Sequence, residues 1–246
     1  MRPIGFSTGA LAFGDFQRGL AIVRSARMPV VELSALRECE VDALTNALPE
    51  LNLEGFDHVA VHAPSDMSDE RHVIMRLRAA SERGCPIIVH PDAIQDVARW
   101  REFGPLLCLE NMDKRKHTGR DRDELAPWFE QLPEASFCLD LGHARQCDAS
   151  MTEAYLLLRV HGHRLKQVHL SEVSTRSKHC GLSRAAVLAY QEVARLIPET
   201  IPIILESVVS ESAVEQELGL ARTALTSSVP SSAVGCSMAC GAVASA

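Results

Sequence analysis

The sequence predicts a single closed (β/α)8 barrel, the TIM-barrel architecture, followed by a low-complexity C-terminal tail. Three observations predict it. Eight short apolar runs rich in β-branched residues recur along the 246 residues. The segments between them carry the three- and four-residue apolar spacing of amphipathic helices. The runs themselves are nearly continuous in apolar character, as expected of parallel strands covered on both faces.

Taken in order, the runs are IGFST (4–8), PVVELS (29–34), HVAVH (58–62), PIIVH (86–90), LLCLE (106–110), FCLD (137–140), KQVHL (166–170) and PIILE (202–206). Their ends lie 20 to 36 residues apart, room for a strand, a crossover helix and two loops. Helical spacing is clearest over 69–84, 183–198 and 210–225, with Ser183 and Ser210 as expected N-caps and Gly84 as a C-terminal stop. An open doubly wound sheet is the rival architecture. It normally shows a glycine-rich phosphate turn after its first strand, whereas STGALAFG (7–14) has no GxGxxG. The reading is one barrel over 1–225 and a tail over 226–246.

The 25 Lys+Arg against 32 Asp+Glu give a net charge of −7. Such a chain lacks the basic field that attracts nucleic acid, and an aromatic content of 4% offers little for stacking bases. Nucleic acid is therefore disfavoured as a partner. Cys85, Cys108 and Cys138 sit in or beside apolar runs and read as buried thiols of a reducing compartment. The N-terminal segment is too polar and glycine-interrupted for a secretory signal, so a cytoplasmic protein is expected. No charge follows Arg222, but the last 24 residues are too rich in Ser, Thr and Gly to span a membrane. Cys236 and Cys240 in that tail have no partners to complete a zinc site and read as incidental thiols.

Seven of the eight runs end in a side chain able to ligate a metal: Glu32, His62, His90, Glu110, Asp140, His169 and Glu206. His143 and His179 lie just beyond two of them. A single such histidine usually reads as a core imidazole. In a barrel, however, all strand C-termini open on one face, so these groups converge. Converging buried carboxylates are costly when unpaired, and a divalent cation removes that cost.

The ordered set VHAP (61–64), VHPD (89–92), LENMD (109–113), LDLGHA (139–144), VHLSE (168–172), SKHCGL (177–182) and ILES (204–207) resembles the xylose isomerase-like barrel superfamily, which includes sugar isomerases, ketose 3-epimerases and endonuclease IV. The resemblance covers residues 4 to 208. In the epimerase branch it implies one divalent metal, Zn or Mn, on Glu110, Asp140, His169 and Glu206, with His143 touching substrate. Glu110 and Glu206 would then move a proton through an enediolate. In the endonuclease IV branch it implies that Glu110 bridges to a second ion on His62 and His90. A third ion there would use His143, His179 and an Asp two residues before the latter. Ser177 stands at that place, so the third site is incomplete and His143 and His179 are left to bind substrate.

The loop NMDKRKHTGRDR (111–122) is basic, and Arg145 and Arg176 also follow strands on the active face. They point to an anionic group on a small-molecule substrate. A solvated run partly offset by Asp113, Asp121 and Asp123 is the alternative. The leading expectation is a divalent-metal-dependent isomerase or epimerase of a small sugar or sugar phosphate. A binuclear zinc phosphoester hydrolase of endonuclease IV-like type comes second, and a barrel that binds metal and ligand without turnover third.

Overall fold

A computed structural model describes residues 2–226. In chain order the elements are β1 (Ile4–Ser7), α1 (Thr8–Ala12), α2 (Phe16–Ser25), β2 (Val30–Ser34), α3 (Val41–Ala47), β3 (His58–His62), α4 (Glu70–Glu82), β4 (Ile87–Val89), α5 (Val97–Trp100) and β5 (Leu107–Glu110). They continue with α6 (Arg122–Gln131), β6 (Ser136–Asp140), α7 (Leu141–Cys147), α8 (Thr152–His161), β7 (Leu165–Leu170), β8 (Glu172–Val173), β9 (His179–Cys180), α9 (Arg184–Ala194), β10 (Ile203–Leu205) and α10 (Val214–Ala224). Strands β1 to β7 and β10 pair in parallel and close into a barrel as β10 returns to β1. All eight predicted strands are present, within a residue or so of their expected ends.

Register separates two faces. Glu32 pairs with Ala60, His62 with Ile88, Ile88 with Cys108, Glu110 with Cys138, Cys138 with Gln167, and Asp140 with His169. Register partners share a face, so all of these side chains point into the barrel. The apolar part of that interior includes the buried group Ala60, Ile88, Cys108 and Cys138, with Val30 and Ile204 on the same face. The alternate residues, among them Phe6, Val31, Val61, Leu109, Phe137, Leu139 and Val168, join the large core between strands and helices. The strands thus alternate after all, large apolar residues outward and a mixture of polar, small and a few branched residues inward.

The close approach of β1 to β2 needs Gly5. A Cβ there would lie 1.8 Å from the Val30 carbonyl oxygen.

The helix signals hold with one adjustment. Asp69 caps α4 by accepting from the His72 N–H, and Gly84 ends it at φ 68°. Ser183 caps α9, its hydroxyl accepting from the Ala186 N–H. Ser210 does not cap α10: a 3-10 turn over Glu211–Ala213 precedes that helix, and the Ser210 hydroxyl bonds Ser212 instead. Two short features on the active face carry no periodic signal, the five-residue α1 and the antiparallel β8–β9 ribbon. Cys85, Cys108 and Cys138 are buried free thiols. Among the described residues no helix is long and apolar enough to cross a membrane. The tail, with Cys236 and Cys240, lies outside them apart from Thr226.

Candidate functional site

Glu110 ends β5, Asp140 ends β6, His169 is the penultimate residue of β7, and Glu206 follows β10. The barrel brings them to one point: each offers a ligand atom within 4.8 Å of the others'. His169 Nδ1 stands 3.3 Å from Glu110 Oε1 and 3.4 Å from Glu206 Oε2. Ligand atoms bonded to a tetrahedral zinc at about 2.1 Å stand about 3.4 Å apart, so the spacing suits a cation. Glu110, Asp140 and His169 are each 0% exposed, and Glu110 Oε1, Asp140 Oδ2 and His169 Nδ1 make no hydrogen bond among the described residues. Orphaned buried polar atoms are costly, and three at one point fit a donor set built for a cation.

The second oxygen of Glu110 faces two other histidines. His62 Nε2 lies 3.2 Å and His90 Nε2 3.3 Å from Glu110 Oε2. The His62 Nδ1–H donates to the Ala63 carbonyl at 2.6 Å, which leaves Nε2 toward the carboxylate. Glu110 therefore stands between the two histidine groups expected of a bridging carboxylate.

His143 and His179 sit at the mouth of the same cluster. Asp140 caps α7 by accepting from the His143 N–H at 2.6 Å, and the His143 Nδ1–H donates to the Asn111 carbonyl at 2.9 Å. This engages His143 Nδ1 and leaves its Nε2 for another partner. The His179 ring lies 5.1 Å from that of His143, with its Nδ1 bonded to the Ser171 hydroxyl at 2.7 Å and 3.6 Å from Glu206 Oε2. Asp140, His143 and His179 also bring ligand atoms together. Ser177 takes no part: its hydroxyl donates to Gln146 and its carbonyl accepts from Arg115.

The basic residues behave differently from expectation. Arg145 is on helix α7, not in a loop, and its guanidinium pairs with Glu172 at 3.1 Å. Arg176 is exposed on the β8–β9 turn. Within the basic loop, Arg115 pairs with Asp113 at 3.1 Å, Lys116 with Asp92 at 2.7 Å, and Arg120 with Glu124. The loop's charge is largely answered locally.

The field of the site splits its two outer carboxylates. Burial, reinforced by Glu110, Asp140 and Glu32 and partly offset by His169, pushes Glu206 up to about 7. Burial also works against ionisation of Glu110, but His169, His90 and His143 hold it well below the usual carboxylate range. Burial brings His179 down to about 4.

Three contributors were not assigned by the sequence reading. Glu32 is expected among the converging metal-competent side chains but is given no role there; its Oε2 accepts from His169 Nε2 at 2.8 Å and from Gln167 Nε2 at 2.7 Å. Asn111 lies inside the LENMD motif and clamps Asp140, its amide donating to the Asp140 carbonyl at 2.9 Å and accepting from the Asp140 N–H at 2.8 Å. Gln167 sits two residues before His169 on the inner face, a period-two signal present in KQVHL.

No protein-family model matches the sequence, and no curated protein matches it significantly. Solved structures do match the fold. An L-ribulose 3-epimerase superposes with a TM-score of 0.54 at 15% identity over 91% of both chains. The 3-keto-D-glucoside 4-epimerase YcjR from E. coli gives 0.62 at 14% identity, over 91% of this chain and 100% of that one. SacUVDE gives 0.50 at 15% identity, over 84% of this chain and 82% of that one. At these identities the likeness is one of fold, and there the resemblance read from the strand-end motifs holds: the chain has the closed eight-stranded parallel barrel of these sugar epimerases and of SacUVDE.

Proposed function

We propose that this protein is an isomerase or epimerase of a small sugar, dependent on a divalent cation held by Glu110, Asp140, His169 and Glu206. The observation that carries the reading is the convergence of those four ligand atoms, three of the residues being wholly buried with an unpaired polar atom. The mixed nitrogen and oxygen donor set suits Zn or Mn. Two structures of the same fold are sugar epimerases by name, which supports the substrate class.

A divalent cation held by these residues would supply Lewis acidity to a bound sugar and so acidify a carbon-bound hydrogen. The chain's own residues do the rest. Glu110 and Glu206 reach the site from strands separated by β6 and β7, so they flank whatever lies between them. Their unequal basicity suits one carboxylate to take the carbon-bound proton and the other to return it. Glu206 is the more open of the two, its side chain 14% exposed against 1% for Glu110, and is the one placed to exchange its proton with solvent. His143, with Nδ1–H tied to Asn111, offers Nε2 to a sugar hydroxyl, and His179 joins it as an uncharged hydrogen-bonding group at neutral pH.

A second reading, a binuclear phosphoester hydrolase, is favoured by one observation: His62 and His90 both face the second oxygen of Glu110. Two measurements separate the readings. Elemental analysis of protein purified without chelator counts the ions, one for the first reading and two for the second. A panel of ketoses and aldoses incubated in D2O with Mn2+- or Zn2+-loaded protein should show incorporation of deuterium at carbon. No exchange with any sugar, together with cleavage of a phosphodiester, would overturn the first reading. Metal uptake with neither reaction would leave a binding barrel.

A further inference from the structure

We propose that Glu32 is a positioning residue, holding His169 in its Nε2–H tautomer so that Nδ1 is presented to the cation. The inference rests on the metal reading above and concerns a residue that does not itself touch the reacting atoms.

A neutral imidazole has one donor and one acceptor nitrogen, so His169 can ligate through Nδ1 only when its proton is on Nε2. Three atoms settle where that proton goes. Glu32 Oε2 lies 2.8 Å from His169 Nε2 and 2.7 Å from Gln167 Nε2, and the two nitrogens are 2.9 Å apart. A carboxylate only accepts, so both nitrogens donate to the shared oxygen, and their closeness to one another follows from sharing it. The orientation of the Gln167 amide is fixed from behind, because the half-buried His58 places Nε2 2.9 Å from Gln167 Oε1 and donates to it. Turning the amide over would set its oxygen against the carboxylate. The chain of donors runs His58 to Gln167 to Glu32, and His169 meets it there. An amide does not readily pass a proton on, so the chain positions and does not conduct.

Stability alone does not account for this arrangement. Interior layers of a barrel are ordinarily filled by branched apolar side chains. Here Glu32, Gln167 and His169 are all 0% exposed, and the second oxygen of Glu32 makes no hydrogen bond among the described residues. Glu32 reaches across the interior from β2 to a histidine on β7, with β1 and β10 between them on one side of the barrel and the small Ala60 beside it. A buried carboxylate spent on the back of a ligating histidine is how metal proteins orient and strengthen such ligands.

The test is the affinity for Zn2+, read by calorimetry on three full-length proteins: wild type, Glu32→Gln, and the exchange Glu32→Gln with Gln167→Glu. In Glu32→Gln the new amide can offer its NH2 to His169 Nε2, which moves the proton to Nδ1 and blocks the ligating lone pair. The expected loss is about 10- to 100-fold in affinity, with the thermal midpoint little changed. The exchange returns a carboxylate to the same shared position, where it accepts from His169, from the amide at position 32 and from His58, so affinity should return to within a few fold of wild type. Nitrogen-15 NMR of the Zn2+-loaded wild type should show His169 protonated at Nε2. Glu32→Gln binding Zn2+ as tightly as wild type, or an exchange variant as weak as the single one, would overturn the proposal. If Glu32→Gln does not fold, the exchange variant decides by itself: near-wild-type affinity supports the role and lost affinity removes it. A wild type that takes up no Zn2+ brings down the metal reading and this one with it, whereas tight wild-type binding that ignores Glu32 brings down this one alone.

Discussion

Asn111 and Glu206 show two ways in which single residues serve the cluster. Asn111 binds the Asp140 backbone at both ends of its amide and so ties the end of β6 to β5. Asn111→Ala leaves a buried N–H and a buried carbonyl unpaired, at about 1–3 kcal/mol for each such group. We expect a loss of about 2–6 kcal/mol in urea unfolding, together with weaker metal uptake, because Asp140 then lacks its anchor. Glu206 anchors little else: among the described residues its ion pairs are with His169 and His179, at 3.4 and 3.6 Å. Glu206→Gln should therefore keep the fold and lose most of the bound metal, checked by circular dichroism and elemental analysis. Full metal retention in that variant would remove Glu206 from the ligand set. The strand-end ligands were legible in the sequence because each closes an apolar run. The clamp and the positioning chain were not: Asn111 acts on a residue 29 positions away, and Gln167 and Glu32 are 135 apart on strands that do not pair, so only the closed barrel brings them together.

At the scale of elements, legibility follows burial. The strands announce themselves because their outward residues are uniformly large and apolar, whatever the inner face carries. Their inner alternation, such as His58, Ala60 and His62 in β3, is visible in the letters but was masked by the small neutral residues among them. The missed features, α1 and the β8–β9 ribbon, are too short to carry a period, and the start of α10 shifted because Ser210 spends its hydroxyl on Ser212. Gly5 is the element-level device that lets β1 lie against β2. A methyl group at 1.8 Å from a backbone oxygen cannot be relieved by a side-chain rotation, so β1 and β2 would have to separate. Gly5→Ala is expected to give insoluble protein or one with a strongly lowered thermal midpoint. A variant as stable as wild type would mean that the β1–β2 pairing is looser than described.

For the molecule as a whole, the barrel closes at β10 and α10 ends at Ala224. We therefore propose 1–225 as the folding unit. Truncation after Leu225 should move the thermal midpoint by no more than a few degrees, as expected for a loss of about 1 kcal/mol or less. Charge is the other property of the whole chain, and it bears on which sugars enter. The net charge of −7 repels an anion, and the cluster itself gathers the carboxylates of Glu110, Asp140 and Glu206. The cations once expected to offset this are engaged: Arg145 with Glu172, Arg115 with Asp113 and Lys116 with Asp92. A free guanidinium on a phosphate would be worth about 1.5–3 kcal/mol, roughly ten- to a hundredfold in affinity. With the pairs formed, that gain must first break an existing one. We expect a neutral sugar to bind metal-loaded protein at least as tightly as its phosphate ester in 0.15 M salt. The gap should widen at 0.01 M, where the screening length grows from about 8 Å to about 30 Å and the repulsion reaches further. Calorimetry on one sugar and its phosphate at both salt concentrations checks this. A phosphate that binds tenfold more tightly, with the advantage lost in Arg176→Ala, would instead make the exposed Arg176 its anchor and return the loops to substrate recognition.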